Sequence, residues 1–131
     1  MELEVSRPVL DGLIEEARAA HPRECCGLLM GDGHAVTALR PAANIHPRPE
    51  QRFEIDPQVL VAALRAQRRG ALQVIGYYHS HPAGAAMPSA TDRREAPHDG
   101  RVWAIVAGDA IGFWRDTPDG FEPLPYVVRP A

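Results

Sequence analysis

The chain has 131 residues, 45% of them hydrophobic and 24% charged, with a formal net charge of −3 at pH 7. That length suffices for one domain, residues 1–131, with a sizeable core. The charge excludes a strong nucleic-acid field, and no window is apolar enough to span a membrane. The start, Met1-Glu2-Leu3-Glu4-Val5, lacks the apolar region of a secretory leader, so the expected location is cytoplasmic.

Leu3 to Val5 reads as a short strand. Pro8 to about Ala20 reads as a helix. Pro8 suits its first turn, and Val9, Leu10, Leu13, Ile14 and Ala17 form an apolar stripe. His21-Pro22 ends it, because the residue before proline is pushed out of the helical region. Glu24 to Gly31 reads as a buried strand with one acid at its mouth. A glutamate in such a place is, taken alone, a solvated turn residue. Cys25 and Cys26 are adjacent, so an ordinary disulfide between them is strained. A reduced, buried pair is expected. Asp32-Gly33 marks a hairpin turn into a return strand from His34 to Arg40.

Pro41 to Gln51 is a proline-rich loop containing Asn44, His46, Arg48 and Glu50. Arg52 to Ile55 reads as a short, half-exposed strand. Asp56 caps a second helix, with Pro57 at its first position. It runs to about Arg69 with Val59, Leu60, Ala63 and Leu64 inward, and Gly70 ends it. After the central stretch described below, Pro97 limits a short helix. Val102–Ala107 is a strong buried strand, and Ala110–Arg115 is its partner. Phe121–Val128 reads as one edge strand interrupted by Pro123 and Pro125. The pattern predicts an α+β fold of the α/β/α-like kind: a mixed sheet flanked by two main helices and one short one.

The chain is organised around Tyr77-Tyr78-His79-Ser80-His81-Pro82. Leu72 to Gly76 leads into it as a short buried strand. Residues two apart on a strand point the same way, so both imidazoles face one spot. Pro82 and Gly84 turn the chain. Ser89-Ala90-Thr91-Asp92 then looks like a helix start, with Ser89 as N-cap and Asp92 at the third helical position. Two neutral imidazoles and one carboxylate make a three-ligand zinc set, His79, His81 and Asp92, with a fourth position for water. A lone His-x-His is weak evidence. The serine and aspartate at fixed distances after a buried strand change that weighting. His21, His34, His46 and His98 sit at turns or loops, where solvation is the common fate.

Glu24, His79-x-His81, seven intervening residues, Ser89, two more and Asp92 together resemble the JAMM motif of the MPN+ (JAB domain) zinc metallopeptidases. Pro22 to Gly31 also resembles that family's first core strand. The resemblance implies a JAB/MPN-like (cytidine-deaminase-like) core over essentially the whole chain. It implies one zinc ion on His79, His81 and Asp92, Glu24 as general base, and Ser89 as donor to the oxyanion. Ser80 points to the other face and stays outside that set. The chain looks most like the short prokaryotic members. Some of these act on ubiquitin-like or sulfur-carrier proteins at a C-terminal Gly-Gly tail, and such a protein is the expected partner. The alternatives are a metallopeptidase of phage-tail or cell-wall type and a non-catalytic MPN scaffold.

Overall fold

The computed structural model describes residues 2–131. Eight strands form one mixed sheet: β1 (Leu3–Ser6), β2 (Cys26–Asp32), β3 (Ala35–Ala42), β4 (Gln73–Ser80), β5 (Val102–Ala107), β6 (Ala110–Thr117), β7 (Gly120–Pro123) and β8 (Tyr126–Arg129). The helices are α1 (Arg7–Ala20), α2 (Pro57–Arg68) and α3 (Ala90–Glu95). The strand order is β7-β6-β5-β4-β2-β3-β1-β8, so the histidine strand β4 lies inside the sheet, between β2 and β5. It runs antiparallel to β2 and parallel to β5.

Alternation along the strands sorts the side chains onto two faces. Leu29 and Tyr78 join Val9, Leu10 and Leu13 of α1 in the larger apolar cluster. Their neighbours Leu28 and Tyr77 face α2, where they meet Ala63, Leu60 and Leu64. The β2–β4 register shifts between Leu29 and Met30, so Val74 is on the α2 side and Ile75 on the α1 side before the shift. Beyond it Tyr77 takes the α2 side, and His79 follows it by alternation. Tyr78 faces α1, and Ser80 follows it by the same alternation. The two helices cover opposite faces because the strands carry apolar residues at both parities.

Three expectations are corrected. The strand carrying Glu24 begins only at Cys26. The Glu24 backbone N–H bonds instead to the carbonyl of Pro49 at 2.7 Å, outside the ladder. Arg52–Ile55 is not a strand: it keeps one isolated bridge, Asn44 with Ile55. The Asn44 side chain takes the Arg52 carbonyl and the Glu54 N–H that a partner strand would have used.

The last correction concerns residues 121–128, which are two strands and not one. β7 pairs with β6 at one edge of the sheet, and β8 pairs in parallel with β1 at the other. Only Leu124 and Pro125 separate them, so the sheet curls until its edges approach. Phe113 and Tyr126 meet across that closure with ring centroids 4.6 Å apart. Both cysteines are free and buried. Among the described residues, no helix is long and apolar enough to cross a membrane.

Candidate functional site

β4 delivers His79 at its buried end and His81 one residue past it. α3 supplies Asp92. Its first turn is a reciprocal capping box: the Ser89 hydroxyl accepts from the Asp92 N–H at 3.0 Å, and Asp92 Oδ2 accepts from the Ser89 N–H at 3.0 Å. The local Ser-x-x-Asp sequence thus turns the carboxylate back towards the strand.

The three side chains converge. His79 Nε2 and His81 Nε2 are 3.0 Å apart. Asp92 Oδ2 lies 3.2 Å from the first and 3.1 Å from the second. A tetrahedral ion bound at about 2.0 Å spaces its ligand atoms about 3.3 Å apart, so this donor set fits one small cation. The three atoms form the metal-competent cluster found among the described residues.

The electrostatics suit that use. Burial lowers the pKa of His79 and favours the neutral ring that a metal needs, although the Asp92 carboxylate opposes the shift. Burial works against the charge on Asp92, but hydrogen bonds from both imidazoles outweigh it and hold the carboxyl well below the usual range. Burial also pulls His81 down, but hydrogen bonds to Asp92 and to the Ala85 carbonyl leave it raised.

Glu24 stands beside this cluster and is only 6% exposed. Burial raises its pKa to about 7. The nearby Asp92 charge adds to the shift and His81 opposes it. Glu24 lines two adjoining depressions. One is a recess walled by Phe53, Ile55, Tyr77 and Trp103, with Asp92 also in its lining. The other is an open groove lined by His81, Gly84, Ala85, Met87 and Ser89. Of the donor set, Asp92 lines the first and His81 the second.

Several contributors were not legible in the sequence. Phe53 stacks on His79 with centroids 4.2 Å apart and planes at 17°. Trp103 sets its edge against the same imidazole at 5.6 Å. His81 is held differently, through Nδ1 at 2.8 Å from the Ala85 carbonyl. The Ala86 carbonyl is in turn anchored by the Trp114 indole N–H at 3.2 Å. Gly112 allows that approach, because a Cβ there would stand 2.2 Å from the Ala86 oxygen. Ser80 clips the Glu24 segment to β4: its hydroxyl accepts from the Cys25 N–H at 2.8 Å, and its N–H donates to the Cys25 carbonyl at 3.1 Å. His98 lies elsewhere, against the buried Asp116 at 3.0 Å.

A model of the prokaryotic homologs of the JAB domain matches residues 6–117. The chain belongs to this family. This JAB domain is 36% identical over 124 residues to a desampylase of Haloferax volcanii, covering 92% of this chain and 89% of that one. It is 42% identical over 89 residues to a probable TtuB-protein conjugate cleaving protease of Thermus thermophilus, covering 65% of this chain and 60% of that protein. Among solved structures, protein DSY2949 of Desulfitobacterium hafniense superposes with a TM-score of 0.85 at 26% identity, over 98% of this chain and 94% of that one. The family and the converging donors make this JAB domain a metal-dependent hydrolase of the JAMM type.

Proposed function

We propose that the chain is a zinc peptidase or isopeptidase that hydrolyses the amide bond after the Gly-Gly tail of a ubiquitin-like or sulfur-carrier protein. The observation that carries the reading is the near-tetrahedral spacing of His79 Nε2, His81 Nε2 and Asp92 Oδ2 beside a buried glutamate. The similarity to a desampylase and to a probable TtuB-protein conjugate cleaving protease supports the substrate class. Two imidazoles and one carboxylate favour zinc over harder divalent ions.

His79, His81 and Asp92 would hold the metal. When bound, zinc supplies a Lewis acid and lowers the pKa of water from about 15.7 towards 7. Glu24 takes the proton from the attacking water and returns it to the leaving amine. It lines both depressions, which supports contact with either partner of the scissile bond. Burial holds its pKa above the ordinary carboxylate value, which suits a group that must accept and then release a proton. The Ser89 hydroxyl oxygen already accepts from the Asp92 N–H, and its own proton remains free for the developing oxyanion. The open groove takes the extended acyl tail, and the small residues Gly84 and Ala85 leave its floor free for a backbone to lie close. The leaving side then faces the aromatic recess.

The test uses purified protein reconstituted with zinc and a ubiquitin-fold protein ending in Gly-Gly, joined to a peptide. Release of the intact tail, lost on chelation and regained with zinc, is the expected result. If the zinc-loaded protein spares every such conjugate while cutting unrelated peptides, the substrate class is wrong.

A further inference from the structure

The loop between β3 and α2 has almost no backbone ladder of its own, yet it supplies Phe53 and shapes the surroundings of Glu24. A few backbone bonds hold it, among them Ile45 N–H to the Glu54 carbonyl at 3.0 Å and Arg52 N–H to the Arg48 carbonyl at 3.0 Å. One side chain ties these turns together. Asn44 Nδ2 donates to the carbonyls of Glu24 and Arg52, each at 3.0 Å, and lies 3.4 Å from that of Pro49. Asn44 Oδ1 accepts from the N–H groups of His46 and Glu54, each at 3.1 Å. A primary amide offers two donors and two lone pairs, so the full capacity of this one is used.

The partners matter more than their number. Glu24 carries the carboxyl beside the donor set. Arg52 and Glu54 bracket Phe53, whose ring lies on His79. A single amide therefore grips the backbone of Glu24 and both neighbours of the ring that covers a metal donor. Pro49, from the same loop, accepts from the Glu24 N–H at 2.7 Å. The loop is moulded around Glu24, and Asn44 carries the side-chain bonds that join Glu24 to Arg52 and Glu54.

We propose that Asn44 is a positioning residue whose side-chain amide fixes Glu24 and Phe53 relative to one another and to His79. The Glu24 half rests on the reading of that residue as the proton carrier. Asn44 acts through the backbones of residues 24, 52 and 54. Aspartate at this position keeps the acceptor half but turns a carboxylate oxygen towards the two carbonyls. Alanine removes both halves.

The experiment makes Asn44→Ala and Asn44→Asp, alone and combined with Glu24→Gln or Phe53→Ala. Turnover is read on the Gly-Gly-tailed conjugate, and zinc affinity by competition with a chelator. Asn44→Ala is expected to lower kcat by about 10–100-fold while KM stays within a factor of about two. In the Glu24→Gln background, with zinc saturating, the further loss in kcat is under about twofold, because the proton carrier it positions is gone. Zinc affinity also falls. Combination with Phe53→Ala costs little beyond Phe53→Ala alone.

Losses that multiply in both pairs overturn the proposal, since Asn44 would then only stabilise the loop. Wild-type kcat and zinc affinity in the single variants overturn it too. The zinc measurement needs no turnover. If Glu24→Gln stays fully active, the role given to Glu24 fails, and the zinc arm still decides whether Asn44 holds Phe53. Should Asn44→Ala fail to fold, Asn44→Asp carries the same two readouts.

Discussion

His79 and His81 stand two residues apart and aim at the same point, yet the protein secures them by different physics. His79 is fully buried. Its ring is gripped by aromatic packing from Phe53 and Trp103, and its Nδ1 has no hydrogen-bond partner. His81 lies on the open side, where the Ala85 carbonyl orients its Nδ1. That carbonyl belongs to a loop docked on β6 through Ala86, Trp114 and Gly112. One donor is held by the core and the other by a loop contact. The core side supplies rigidity. The loop side leaves the groove open for an extended chain.

The largest effect comes from removing the donors. His79→Ala and His81→Ala should each reduce bound zinc from one per chain towards none, read by elemental analysis after reconstitution. Full metal in either variant would mean that the two sides do not share one ion. Next is Glu24→Gln, at the boundary between them. It should keep the metal and lower kcat by about 10²–10⁴-fold, the usual contribution of a general base. Full activity in this variant sinks the role assigned to Glu24.

The pH dependence follows from the same group. Burial raises the Glu24 pKa to about 7, and only its carboxylate form accepts a proton. The rate should therefore fall by about tenfold per pH unit below its pKa. A cation on the adjacent donors favours the carboxylate, so the acid limb of the metal-loaded protein should lie below 7. The check is a kcat/KM profile with zinc content measured at each pH. A flat profile down to pH 5 contradicts it.

Two smaller changes separate core from loop directly. Phe53→Ala removes the ring from His79 and should weaken zinc binding by about 10–100-fold, as loss of an outer partner of a metal ligand does. Trp114→Phe removes one hydrogen bond, two steps from His81, and should cost less than about tenfold. Chelator competition on both variants gives the order. If Trp114→Phe costs more than Phe53→Ala, the loop and not the aromatic packing is the stronger hold.

Much of the candidate site could be read without coordinates, because its parts are local. His79 and His81 share one face through the period of a strand. Ser89 and Asp92 meet through the geometry of a helix N-terminus. Glu24 was harder. Its own surroundings in the sequence suggest a solvated acid, and only the family resemblance singled it out. Its backbone is held by Asn44, 20 residues away, and by Pro49. The next residue, Cys25, is held by Ser80, 55 residues further on. Phe53 looked like part of a strand, because nothing in its neighbours reveals that the Asn44 side chain takes their backbone groups.

The sequence by itself determined the helices, most of the strands, the donor types and their spacing, since each follows from periodicity, capping or turn chemistry within a dozen residues. The tertiary structure alone decided three things: which strands neighbour one another, that residues 120–129 serve both edges of a curled sheet, and how the two histidines are secured. Those choices depend on packing and hydrogen bonds between segments distant in the chain. Local propensity is blind to them, because the energies that select one pairing over another appear only once the chain has closed on itself.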